Sequence, residues 1–191
     1  MNVNKKNYFS TKGRSTSSGK FFLILLFCLL VRLIPFRVPN IEPILATMMP
    51  TSRAYGVLAG FSFAVLSILF YDILTGTLGI QTFFTTLAYG VLGLWAGYYF
   101  KKNTVNTSDY VRFAIIGTLI FDALTGLSVG PIFFHQSFME SLIGQIPFTA
   151  LHLLGNITFA LILSPAVYKF LIKKREQKNK VNINIFNPKT I

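Results

Sequence analysis

The sequence has few charged residues for its length, and this scarcity excludes most soluble classes of protein. Only 13% of its 191 residues are Asp, Glu, Lys or Arg, whereas a soluble domain carries about 25%. Three stretches contain no charged residue at all: 54–71, 73–100 and 141–168. Because about 20 apolar residues cross the hydrocarbon core of a bilayer, we expect several membrane spans. A soluble, disordered or nucleic-acid-binding protein is excluded as the main interpretation.

Cysteine and catalytic motifs are also scarce. The single cysteine, Cys28, lies in an apolar run, so the chain has no intrachain disulfide and no cysteine metal cluster. The sequence contains no GxxxxGK[ST] phosphate loop, no HExxH and no GxSxG motif. These absences favour a protein that is not an enzyme, holds no metal or other cofactor, and cannot hydrolyse ATP through a Walker site.

Positive charge is abundant and unevenly placed. The net charge is +12, and most of the cations lie before the first apolar segment, after the last one, or in short gaps between segments. Such a distribution follows the positive-inside rule and needs no nucleic acid to explain it. It divides the chain into a disordered basic cytoplasmic tail (1–19), a transmembrane domain (20–172) and a basic cytoplasmic C-terminal tail (173–191).

The apolar segments predict an all-α bundle of six transmembrane helices in the plasma membrane. The second, over 41–49, is bracketed by prolines and too short for a comfortable span, so we expect a short or broken helix that its neighbours shield from lipid. Six crossings place both termini and 16 of the 18 cations inside. The other segments are Lys20 to Pro35 or Arg37, Arg53–Tyr71, Phe83–Phe100, Tyr110–Gly126, and one that starts between Phe138 and Pro147 and ends near Ile172.

One short motif occurs twice. Residues 71–76 (YDILTG) and 121–126 (FDALTG) share an aromatic-Asp-x-Leu-Thr-Gly pattern 50 residues apart. Each glycine is expected to end a helix. An acid near a helix C-terminus meets the negative end of the dipole, so each aspartate needs compensation. Arg32 or Arg37 would supply it as structural partners, and a cationic group of a ligand is the alternative.

Small residues recur at helical spacing on two segments: Gly56, Gly60 and Ala64, and then Gly90, Gly93 and Gly97. Such faces let two helices approach closely inside a bilayer. Packing within the bundle is one interpretation of the first run, and docking of another membrane subunit is the other.

Two segments resemble the substrate-binding (S) component of energy-coupling factor (ECF) transporters. They are YGVLAGFSFAVLSILFYDILTGTLGIQTFFTTLAYGVLGLWAGYYFKK at 55–102 and IPFTALHLLGNITFALILSPAVYKFL at 146–171. The resemblance implies a membrane subunit that captures a vitamin-like micronutrient from outside and docks on a membrane T component with two ATPase subunits. Many S components carry alanines on the first helix, at the face that meets the T component. The chain departs from them in this respect, because its first helix, FFLILLFCLLVRLI, has no alanine.

On this interpretation an outward-facing cavity binds a small polar ligand. The mixture of Arg and Asp side chains would suit a zwitterion. The candidate binding residues are polar or aromatic and lie at outer helix ends or in the last helix, namely Arg32, Arg37, Asp72, Tyr89, Asp122, His152 and Asn156. Gly56, Gly60 and Ala64 are the candidate docking residues. A non-transport scaffold of the cell-envelope or cell-shape machinery is the alternative function. An intramembrane enzyme would need clustered catalytic groups, which the sequence does not reveal.

Overall fold

The described part of the chain is helical. The computed structural model describes residues 18–36, 40–102 and 104–186, and beyond residue 172 only the course of the backbone. Within these ranges it has six α-helices and no strand, which confirms the predicted all-α fold. In chain order the helices are α1 (Ser18–Arg32), α2 (Ile44–Tyr55), α3 (Val57–Thr75), α4 (Ile80–Tyr99), α5 (Thr107–Phe134) and α6 (Phe138–Phe186).

In the part of the chain that the structure describes, three helices are long and apolar enough to cross a bilayer: α3, α5, and α6 over Phe138–Ile172. The outer surface carries apolar side chains such as Leu58 and Ile162, which are 76% and 69% exposed, as expected where a protein contacts lipid. α1 and α2 have 15 and 12 residues, fewer than the roughly 20 that a straight span needs. Six crossings with both termini inside therefore stay a prediction.

The predicted tails are described only in part. Residues 1–17 and 187–191 lie outside the described residues, while Ser18 and Gly19 of the predicted tail already belong to α1. At the other end α6 continues as a helix from the apolar segment to Phe186. The predicted boundary at residue 172 therefore separates two parts of one helix.

α2 lies at the centre of the bundle. Ten of its 12 residues are buried, and it contacts each of the other five described helices, so the prediction of a short helix shielded by its neighbours is met. Its predicted bounds are wrong. The helix continues through Pro50 to Tyr55, and the break before α3 falls at Gly56, where a φ of 105° requires glycine.

Pro50 leaves a gap in the backbone hydrogen bonding of α2, and α6 fills it. Proline has no N–H, so the carbonyl of Ala46, four residues earlier, loses its helical partner. The Ser164 hydroxyl of α6 donates to this carbonyl oxygen at 2.8 Å. Both residues are fully buried, and the bond therefore satisfies a polar group that no water would reach.

α3 and α4 pack through glycines. A Cβ added to Gly60 would lie 2.6 Å from the carbonyl oxygen of Gly93, and one added to Gly93 would lie 2.5 Å from the carbonyl oxygen of Gly60. Contacts this short have no room for a side chain, so the two backbones touch. Gly60 and Ala64 thus face the interior, and the packing interpretation of this run, rather than docking, describes what these two residues do in the folded chain.

The end of α5 corrects a second prediction. The helix does not stop at Gly126 but continues to Phe134, and His135, with a φ of 53°, ends it. Gly126 instead packs against the Gln145 side chain of α6, so it is a close-contact glycine and not a helix terminator. Because α5 spans Thr107–Phe134, Asp122 lies near the middle of the helix and about 18 Å from its C-terminal end, at 1.5 Å per residue.

Candidate functional site

Four polar side chains form a cluster between α5 and α6. The two helices are antiparallel neighbours joined by the turn at 135–137. On each helix two polar residues stand four apart and so share one face. His152 Nδ1 lies 2.7 Å from Asp122 Oδ1, and Asn156 Nδ2 donates to Thr118 Oγ1 at 2.8 Å. We call these four residues, Thr118, Asp122, His152 and Asn156, the interior polar cluster.

The interior polar cluster is almost completely shielded from solvent. Its four side chains belong to residues that are 1–3% exposed. Two of its atoms, Asp122 Oδ2 and Asn156 Oδ1, are buried without a hydrogen-bond partner. An unsatisfied buried acceptor costs about 1–3 kcal/mol, and more when it is charged. The cluster therefore has two acceptors available for a donor that the described residues do not provide.

Aromatic rings line one side of this cluster. The rings of Tyr89 and Phe121 are 4.3 Å apart between centroids. The His152 ring meets Phe121 and Phe148 edge to face, at 5.6 and 5.8 Å. The Tyr89 hydroxyl lies within electrostatic range of Arg32, Glu42 and Asp122.

Arg32 is already engaged by groups of the chain. Its Nη1 donates to the Ser67 carbonyl oxygen at 2.6 Å, its Nε is 3.6 Å from Glu42 Oε2, and its guanidinium carbon lies 3.9 Å from the centroid of the Tyr71 ring. The residue is 5% exposed. The expectation that Arg32 compensates the aspartates is not met in the described contacts, because Arg32 forms an ion pair with the Glu42 carboxylate instead.

Asp72 lies apart from the interior polar cluster. It stands in the last turn of α3, is half-buried, and accepts a hydrogen bond from Thr82 Oγ1 at 2.6 Å through its Oδ2 atom. Thr82 Oγ1 in turn accepts from the Gly79 N–H at 3.1 Å. These contacts hold the α3–α4 turn together, which favours the structural role that the sequence left open. Arg37 lies outside the described residues.

Of the seven candidate binding residues, the structure brings four together: Tyr89, Asp122, His152 and Asn156. Thr118 was missed, although it stands one helical turn before Asp122 just as His152 stands one turn before Asn156. That matched i, i+4 spacing was the available signal. The pairing of Glu42 with Arg32 was not predicted, because no local pattern relates residues in separate parts of the chain.

A groove of about 450 Å³ lies on another side of the bundle, between α3 and α4. Its walls are mainly apolar, and Thr82 and Thr86 are among the residues that line it. Thr86 Oγ1 is buried without a hydrogen-bond partner. Because the groove opens where apolar side chains such as Phe83 and Leu87 are exposed, it adjoins the surface that lipid would contact.

Within the described residues, no group of three or more His, Cys, Asp or Glu side chains is arranged to hold a metal ion. The interior polar cluster offers one carboxylate, one imidazole, one amide and one hydroxyl. It can accept and donate hydrogen bonds and carry a charge. No known protein family, curated protein or solved structure matches the chain.

Proposed function

We propose that this protein is the substrate-binding membrane subunit of an ATP-driven importer for a small, vitamin-like micronutrient, and that the interior polar cluster binds the ligand. One observation carries the proposal. Asp122 Oδ2 and Asn156 Oδ1 are unpartnered acceptors on residues that are 2% and 1% exposed, and they lie midway along helices that are apolar enough to cross a bilayer.

The energetic cost of this arrangement supports a binding role. Polar groups at membrane depth are expensive and usually face a partner or a cavity. Two unsatisfied acceptors together cost the free protein about 2–6 kcal/mol. A ligand that satisfies both recovers this free energy on binding, a large part of the roughly 8 kcal/mol that a micromolar dissociation constant represents.

The charge distribution supports the orientation that the proposal requires. With both termini inside, the α5–α6 turn faces outward, and the proposed ligand would enter from that side. Lys101, Lys102 and Arg112 then lie inside, where the positive-inside rule expects them. The six predicted crossings include α1 and α2, with α2 crossing as a helix that its neighbours surround.

Transport would require partners, because the sequence has no phosphate-binding loop of its own. We infer a membrane T component and two ATPase subunits, as the resemblance implies. Gly60 and Ala64 are buried within the chain. We therefore expect the T component to dock on other residues of this protein.

Native mass spectrometry of the protein purified gently from its own host membrane tests this proposal. We expect a bound small molecule together with T and ATPase subunits. Asp122→Asn should abolish ligand retention, whereas Asp109→Asn, the same change in the first turn of α5, should leave it intact. An empty protein found repeatedly with envelope-building proteins and no ATPase would instead support the scaffold alternative.

A further inference from the structure

We propose that the interior polar cluster recognises a protonated amine, so that the ligand of this subunit carries a basic nitrogen. The inference rests on the proposed binding function and names the chemical class of the ligand. It starts from the two unpartnered atoms, Asp122 Oδ2 and Asn156 Oδ1, which are both hydrogen-bond acceptors. Only a group that donates hydrogen bonds completes them, and an ammonium group offers up to three N–H donors.

The charge of the site points the same way. Among the described residues, the basic side chain within 4 Å of Asp122 is that of His152. Arg32 is paired with Glu42 and so contributes little net charge. When His152 is neutral, the buried groups therefore carry one uncompensated negative charge, and a buried charge is stable only when it is paired. An ammonium group supplies both the missing charge and the missing donors.

An anionic or zwitterionic ligand fits the described residues less well. The cation available to an anion is Arg32, whose Nη1 donates to the Ser67 carbonyl. Its Nε makes no hydrogen bond, but the Glu42 carboxylate 3.6 Å away already balances its charge. A ligand carboxylate would compete with Glu42 for the guanidinium. The structure thus supports the cationic half of the zwitterion that the sequence suggested.

The aromatic side chains suit the rest of such a ligand. Tyr89 and Phe121 form a close ring pair, and Phe148 contacts the His152 ring. Aromatic faces attract cations and bind flat apolar bodies. A ligand that combines a ring with a basic nitrogen would therefore place the nitrogen at Asp122 and Asn156 and the ring against Tyr89 and Phe121.

Three probes of one size and different charge test this inference: benzylammonium, benzyl alcohol and benzoate. The full chain is reconstituted in lipid nanodiscs in potassium buffer, and affinity is read from the concentration dependence of the unfolding temperature. We expect benzylammonium to bind about tenfold or more tightly than the other two, as a charged hydrogen bond requires. Asp122→Asn should remove that preference, while Asp109→Asn should keep it. The wild-type comparison stands by itself if Asp122→Asn does not fold.

The other outcomes separate the ligand class from the proposed function. Equal or tighter binding of benzyl alcohol or benzoate would overturn the amine and leave a binding subunit. If the unfolding temperature is higher in sodium buffer than in potassium buffer and benzylammonium has no effect, the cluster is an alkali-ion site. That result would overturn the amine. If none of the probes binds, the molecule that co-purifies from host membranes decides. One with a basic nitrogen supports the inference and one without overturns it. The absence of any bound molecule would overturn both proposals.

Discussion

The two copies of the aromatic-Asp-x-Leu-Thr-Gly motif have the same sequence pattern and different structures. In the first, Gly76 has a φ of 69° and ends α3. In the second, Gly126 lies within α5, which continues for eight more residues to Phe134. Asp72 consequently stands at a helix end, half-buried and bonded to Thr82, whereas Asp122 stands in mid-helix, 2% exposed and bonded to His152. One pattern thus produces a turn in one place and a buried site in the other.

Surroundings, rather than the motif, account for the difference. A Cβ added to Gly76 would meet no atom within 4 Å, while one added to Gly126 would meet the Gln145 side chain. Within each copy one local contact is the same, because Thr75 and Thr125 each donate to the carbonyl four residues earlier at 2.8 Å; Thr75 Oγ1 also lies 2.8 Å from Thr77 Oγ1. The neighbouring helix α6 is what continues the second copy as a helix and turns its aspartate into an interior residue.

Replacing the aspartates should give the largest difference in stability between the two copies of the motif. We expect Asp122→Ala to lower the free energy of unfolding by about 3 kcal/mol, the upper end of the cost of a buried group left unpaired, because His152 Nδ1 loses its hydrogen-bond partner. Asp72→Ala should cost about 1 kcal/mol, the typical value of one hydrogen bond. Denaturant unfolding in detergent micelles measures both. Losses of equal size would show that the two aspartates have equivalent surroundings.

Replacing each glycine by asparagine should give a smaller difference. Asparagine adopts the left-handed conformation readily, so Gly76→Asn should change stability by no more than about 0.5 kcal/mol. Gly126→Asn should cost about 1–3 kcal/mol, because the new side chain competes with Gln145 for the same space. The midpoint of thermal unfolding compares the two. A larger loss at residue 76 would contradict the assignment of Gly126 as a close-contact glycine.

The threonines should sharpen the comparison by showing no difference. Thr75→Val and Thr125→Val each remove a hydroxyl that bonds to its own helix, an interaction that contributes little to helix stability. We expect both substitutions to change the free energy of unfolding by about 0.5 kcal/mol or less. The same detergent unfolding experiment measures them. If only Thr125→Val were costly, its hydroxyl would have a role in the interior polar cluster that the structure does not assign to it.

Much of the fold could be predicted from the sequence, because apolar length and charge placement report directly on helices in a membrane. The all-α class and the short, shielded second helix followed from these signals. The end of α5 did not, since Gly126 has the local pattern of a terminator and only Gln145, on another helix, shows otherwise. The end of α2 was predicted wrongly for a similar reason. Pro50 is a typical helix breaker, and only Ser164, on another helix, satisfies the carbonyl that it frees.

The candidate site was predicted in part. Asp122, His152 and Asn156 could be chosen because ionisable and amide side chains are rare in apolar segments, so each is conspicuous. The pairing of Arg32 could not be chosen correctly. Glu42, Asp72 and Asp122 were all plausible partners along the chain, and only the packing of α1 against its neighbours selects Glu42. The sequence was enough to select most of the site residues, because they are rare in apolar segments. Their partners could be identified only from the tertiary structure.

The hydrogen bond from Ser164 to the Ala46 carbonyl bears on the order in which the bundle assembles. α2 is synthesised long before α6, yet its freed carbonyl has no described partner other than the hydroxyl that α6 brings. A shift of α2 along α6 by one residue, about 1.5 Å, would also leave that carbonyl unpaired. We therefore expect α2 to reach its final depth only after the last helix has entered the membrane. The interior of the bundle would then close late, as a step of folding after insertion.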